Sequence, residues 1–160
     1  MDFATHSASE LLRLHAAISE ELRARGIVRS ANNPVGDLAE YLFCRAFDWS
    51  PAGKNARSAD AACSNGKLYQ IKGRRSTQYN RSRQLGALRD LPSGGFDYLA
   101  AILFAEDYSV SRAAIIPHAL VLEKATYQDW TKSWRFMLRD EVWSWSGVED
   151  VTARIKAVSF

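Results

Sequence analysis

A chain of 160 residues, 47% hydrophobic and 11% aromatic, is long enough to form one domain, 1–160, with a sizeable core. No apolar run reaches about 18 residues, so no membrane-spanning helix is expected. The first residues, Met1-Asp2-Phe3-Ala4-Thr5-His6, lack the basic and then apolar pattern of a secretory signal, so a cytoplasmic setting is expected. Cys44 and Cys63 match neither a disulfide framework nor a metal knuckle and read as reduced thiols. The net charge is only +3, with a pI near 9.0, so the distribution of charge says more than its sum.

In chain order, the first element is a helix that opens on a capping box, Ser7-Ala8-Ser9-Glu10. It carries Leu11, Leu14, Ile18 and Leu22 at helical spacing, ends near Gly26, and reads as a packing helix. A second helix starts with Asn33 as N-cap and Pro34 at its first position. Its apolar stripe is Val35, Leu38, Ala39, Leu42 and Ala46, and it should stop between Asp48 and Pro51. A hairpin follows, with strands 58–63 and 67–73 about Ser64-Asn65-Gly66. The nearly all-apolar run 96–104 reads as a central strand buried on both faces. A further strand at 110–116 ends at Pro117, where the missing amide hydrogen stops a ladder. Beyond it the pattern predicts a short helix at 118–124, a strand at 134–138, and a last helix carrying Val148, Val151, Ile155 and Val158. The fold class is α/β, an α+β arrangement with a mixed central sheet flanked by helices. Its core spans about 33–116, and a helical, aromatic-rich part covers 117–160.

From Lys72 to Arg89 there are six basic residues (Lys72, Arg74, Arg75, Arg81, Arg83 and Arg89) and no acid. Such a segment can neutralise phosphates, with Tyr79 interleaved as a stacking surface. Read blandly, it is a solvated basic loop. Tyr127, Trp130, Trp134, Phe136, Trp143 and Trp145 read first as core or subunit-interface packing, and base stacking is the second reading. His6, His15 and His118 are isolated, and no phosphate-cradling glycine loop, GxSxG elbow or HExxH pair is present.

Gln70 and Lys72 are two apart on one strand and so project from the same face. Whether Asp60 joins them depends on the parity of the hairpin loop. A two-residue Asn65-Gly66 loop pairs Asp60 with Ile71 and puts it on the wrong face. A three-residue loop with Gly66 left-handed pairs Cys63 with Lys67 and hence Asp60 with Gln70. Glu40 falls at the margin of the second helix's apolar stripe, where a cleft-lining carboxylate would sit.

A helix bearing Glu40, a strand bearing Asp60, and a following strand bearing Gln70, Ile71 and Lys72 resemble the PD-(D/E)xK nuclease superfamily. Two departures stand out: Ala59 replaces the proline, and Gln70 replaces an acid. The resemblance implies a restriction-endonuclease-like core and a Mg²⁺-dependent DNA endonuclease, with Mn²⁺ able to substitute and no organic cofactor. In that family pattern Asp60 is the principal metal ligand, Gln70 a second oxygen ligand, and Glu40 an auxiliary ligand or water-orienting group. The Ile71 carbonyl also reaches the metal, and Lys72 is the catalytic lysine. Arg74, Arg75, Arg81 and Arg83 would meet DNA phosphates, and a homodimer is the simplest way for one such domain to reach both strands. Two readings compete: a nuclease-fold domain without activity that binds nucleic acid or protein, and an interaction module using the tryptophan-rich C-terminal third.

Overall fold

The computed structural model describes residues 2–160. Helix α1, Ala8–Ala24, begins with the capping box in place: Ser7 accepts from the Glu10 amide, and the Glu10 carboxylate accepts from the Ser7 amide. The expectation of a packing helix is corrected. No residue of α1 is buried, Leu12 and Ile18 are exposed, and only Leu22 packs against the core. Helical spacing fixes which residues share a face but not whether that face is covered.

Helix α2, Val35–Phe47, starts where the Asn33-Pro34 pair predicts. The Asn33 side chain accepts from the Val35 amide at 3.1 Å, and Pro34 already has helical dihedrals. It ends at Asp48, whose left-handed backbone (φ 56°) breaks the spiral. Leu38, Ala39, Leu42 and Phe43 form its buried face.

One six-stranded sheet runs in the order β1-β2-β3-β4-β5-β8. Its strands are β1 (Ser50–Pro51), β2 (Ala61–Ala62), β3 (Leu68–Arg75), β4 (Tyr98–Phe104), β5 (Val110–Pro117) and β8 (Glu149–Asp150). Only β3 and β4 are parallel, so the sheet is mixed. β4 is central, as its composition predicts, with every residue from Leu99 to Phe104 buried. Helix α3, His118–Lys124, follows Pro117 directly.

Side chains alternate across the sheet and build two cores. On one face Ile71, Ala100, Ile102, Ala113 and Ile115 pack with α2. On the other, Leu99, Ala101, Leu103, Ala114 and Ile116 are covered by Leu85, Leu88, Leu91, Phe136, Leu138 and Val142. Each fully buried Leu, Ile or Phe contributes about 1.5–3 kcal/mol relative to exposure. Both cores therefore draw on residues beyond 116, which the sequence reading treats as an addition to the core.

The C-terminal part departs from expectation in detail. The 134–138 strand is a hairpin arm: β6 (Thr126–Gln128) pairs with β7 (Ser133–Arg135), and single bridges tie Leu88 to Trp134 and Gln84 to Met137. The last helix, α4, covers only Thr152–Lys156, because Glu149 and Asp150 extend as β8 beside Ala114 and Ile115. Val151 and Ile155 are buried by the first core and account for the apparent longer period. Among the described residues no helix is long and apolar enough to cross a membrane.

Candidate functional site

The hairpin takes the three-residue register. Cys63 donates to the Lys67 carbonyl at 3.0 Å, Gly66 closes the turn at φ 82°, and Ala61 faces Tyr69, which places Asp60 opposite Gln70. The arm carrying Asp60 is shorter than predicted, because β2 pairs only through Ala61 and Ala62 before the chain turns toward β1. Asp60 is pinned from both sides. Its amide donates to the Tyr69 carbonyl at 2.8 Å, and its carbonyl accepts from the Ala52 amide at 3.0 Å.

The early end of β2 leaves the edge of β3 open just past Tyr69, and the Asp60 carboxylate fills that gap. Its Oδ2 accepts from the Ile71 amide at 2.7 Å and from the side-chain amide of Gln70. The N–H and C=O of one strand residue point to the same side, so the Ile71 carbonyl also faces this edge. The Gln70 Oε1 has no hydrogen-bond donor among the described residues.

Glu40 approaches from α2. It lines, with Asp60, a cavity of about 150 Å³ whose other walls include Ile27, Arg29, Asp37 and Cys44. Burial and the nearby Asp60 charge push the Glu40 carboxyl above its ordinary value, against the Arg29 guanidinium, which pairs with it. Arg29 is a site residue that sequence reasoning missed. It lies in an irregular segment and is brought there by Asp37, whose Oδ2 accepts from the Arg29 amide and the Ser30 amide, each at 2.8 Å. The same surroundings, burial foremost, push the Cys44 thiol upward.

Lys72 shares the Gln70 face of β3, but it does not line the cavity that joins Glu40 and Asp60. Its stem runs beneath the loop after β3, where a Cβ on Gly86 would sit 3.8 Å from the Lys72 Cδ. Among the described residues its amino group has no hydrogen-bond or ion-pair partner. Gly73, next along β3, lets α2 close on the strand: a Cβ there would lie 3.1 Å from Ala39 Cβ, Val35 Cγ1 and the Val35 carbonyl.

The basic segment divides. Arg75 is half-buried and engaged, donating to the Glu106 carbonyl at 2.8 Å and lying 4.2 Å from the Tyr108 ring centre. Arg83 is paired with Asp140. The Nε of Arg74 donates to the Ser82 carbonyl at 2.9 Å, and Arg74 and Arg75 line a cleft of about 420 Å³ with Asn33, Gly36, Thr77 and Asn80. Arg81 and Arg89 are exposed and form no ion pair among the described residues, and Tyr79 is 88% exposed.

Among the described residues no three His, Cys, Asp or Glu side chains converge as a metal-holding group. The β3 edge brings together the Asp60 carboxylate, the Gln70 side-chain amide and the Ile71 carbonyl, and the Glu40 carboxylate lines the cavity that Asp60 also lines. That donor set suits a hard cation such as Mg²⁺ or Mn²⁺ and not a thiolate- or imidazole-seeking one. Comparison with models of known protein families and with curated proteins finds no match.

Proposed function

We propose that this domain is a metal-dependent DNA endonuclease of the PD-(D/E)xK type with a restriction-endonuclease-like core, acting in the cytoplasm. The observation that carries the reading is that Asp60, which meets Gln70 and Ile71 at an open strand edge, also lines a cavity with Glu40. Lys72 stands two residues along the same strand face.

In this reading Asp60 would hold Mg²⁺ or Mn²⁺ with Gln70 Oε1 and the Ile71 carbonyl, and Glu40 would serve as an auxiliary ligand or water-orienting group. A bound cation would supply Lewis-acid polarisation of the scissile phosphate and the attacking water. The chain's own residues do the remainder. Glu40, once Arg29 releases it, would orient the attacking water, whose proton passes to solvent. Lys72 sets its ammonium against the charge that grows on the phosphoryl oxygens as water adds to phosphorus and the bridging P–O bond breaks. The leaving 3′ or 5′ oxygen takes a proton from solvent. Arg74, Arg81 and Arg89 neutralise flanking phosphates, whereas the engagements of Arg75 and Arg83 favour structural roles. Two copies would present two such sites to the two strands of a duplex.

Arg29 favours a second reading. Its guanidinium already neutralises Glu40, so a nucleic-acid-binding domain without catalysis would need no cation here. Plasmid nicking with Mg²⁺ or Mn²⁺, beside Lys72→Ala and a chelator control, decides between them. Cleavage that disappears in both controls supports the endonuclease. Salt-sensitive binding without cleavage supports the second reading.

A further inference from the structure

The aromatic C-terminal third is mostly consumed in packing: Phe136 is buried, and Trp134, Trp143 and Trp145 pack against the second core. Tyr127 and Phe160 are partly exposed, and Trp130 is the extreme case. It is 97% exposed at the tip of the β6–β7 hairpin.

The hairpin that presents it is firmly built. The Tyr127 and Trp134 rings meet across the strands at 5.3 Å, the Thr131 and Ser133 hydroxyls bond at 2.7 Å, and Lys132 turns the chain at φ 49°. Its base is clamped to the basic segment by two bonds, Trp134 amide to Leu88 carbonyl at 2.8 Å and Leu88 amide to Trp134 carbonyl at 3.0 Å. A large indole held in water by an ordered support has given up its apolar burial without gaining any contact within the chain. A hairpin tip is too narrow for a broad protein interface, which needs about 800 Å² from each partner. It is well shaped to offer one flat aromatic face.

Charge at the base of the hairpin indicates what that face meets. Arg89, next to the clamped Leu88, and Arg135, on β7, are exposed and free of ion pairs among the described residues. The acid at the tip, Asp129, is neutralised by Lys132 at 3.3 Å. The segment to which the hairpin is clamped is the one whose Gly86 covers the stem of Lys72.

We propose that Trp130 is a stacking platform for an unpaired nucleobase, with Arg89 and Arg135 meeting the adjoining phosphates. The inference rests on the nucleic-acid reading above and specifies its substrate: a strand with accessible bases, at an end, a flap or a locally opened duplex. Every base has a π-face, so the contact is tolerant of sequence.

The test uses the full chain in chelator-containing buffer, with fluorescein-labelled single-stranded and fully duplex oligonucleotides, read by anisotropy. Trp130→Ala weakens single-strand binding about tenfold, Trp130→Phe keeps most of it, and duplex binding changes little. A 2-aminopurine in the single strand is quenched by the unaltered protein and not by Trp130→Ala. Equal single-strand affinity in all three proteins overturns the inference, while metal-dependent nicking would leave the nuclease reading standing. Absence of binding to either oligonucleotide overturns the stacking role, and with no metal-dependent nicking it overturns the nucleic-acid reading as well. A tryptophan emission shift with phosphatidylglycerol vesicles but not with oligonucleotides overturns the stacking role in favour of a lipid surface.

Discussion

Asp60 and Gln70 face each other across the β2–β3 hairpin, and one carboxylate oxygen, Asp60 Oδ2, takes both the Gln70 side-chain amide and the Ile71 backbone amide. This arrangement occupies Asp60 Oδ2 without a cation and leaves Oδ1 with no donor among the described residues. Gln70→Glu removes one donor and sets a second negative charge beside the first. In chelator the variant should be less stable by about 1–2 kcal/mol. Mg²⁺ or Mn²⁺ should then raise its melting temperature more than that of the unaltered protein, because the added carboxylate tightens cation binding. Thermal melts with and without each cation measure both effects. An equal cation response in the two proteins would remove Gln70 from the metal site.

Asp60→Asn and Lys72→Ala separate binding from chemistry. Asp60→Asn should abolish calorimetric Mn²⁺ binding and nicking together. Lys72→Ala should retain the cation and lose cleavage, since its ammonium acts on developing charge and not on coordination. Loss of Mn²⁺ binding in Lys72→Ala would contradict the role given to it.

Glu40 titrates above its ordinary value of 4.5, because of burial first and the Asp60 charge second. The folded protein therefore holds this proton more tightly than the unfolded chain. The stabilisation is fully present below the unfolded value and is lost as pH rises through the folded one. Carboxyl NMR titration should show the Glu40 midpoint falling in Asp60→Asn and rising in Arg29→Ala. Bound Mg²⁺ should lower it as well. An unmoved midpoint in Asp60→Asn would mean that the two carboxylates do not share a field.

Among the arginines, Arg81→Ala should weaken DNA binding and reduce the salt slope by about 1, with no change in stability. Arg75→Ala should do the reverse. Losing its bond to Glu106 and its place over Tyr108 should lower stability by about 1 kcal/mol or more. Salt-titrated binding beside chemical denaturation measures both.

Gly73→Ala should displace α2, since a Cβ would press on Ala39, Val35 and the Val35 carbonyl at 3.1 Å. We expect a loss of about 1–3 kcal/mol, partly recovered by adding Val35→Ala, which removes one of the three obstacles. Reduced nicking in the stable double variant would show that the α2–β3 distance sets the Glu40 position.

Much of this was written locally in the chain. The capping box at Ser7, the Asn33-Pro34 start of α2, the all-apolar β4 and the stop at Pro117 are decided by neighbours within one turn or one strand. So is the hairpin parity, once Gly66 takes its left-handed turn. What distance in sequence hid was decided by packing. Whether the stripe of α1 is covered, whether 149–150 extends or coils, and which arginines are already engaged depend on partners many residues away. Arg29 reaches Glu40 only because Asp37 ties down the irregular segment between α1 and α2, and no local pattern encodes that tie. Trp130 carries the same lesson: composition groups it with five other aromatic side chains, and only the hairpin leaves it in water.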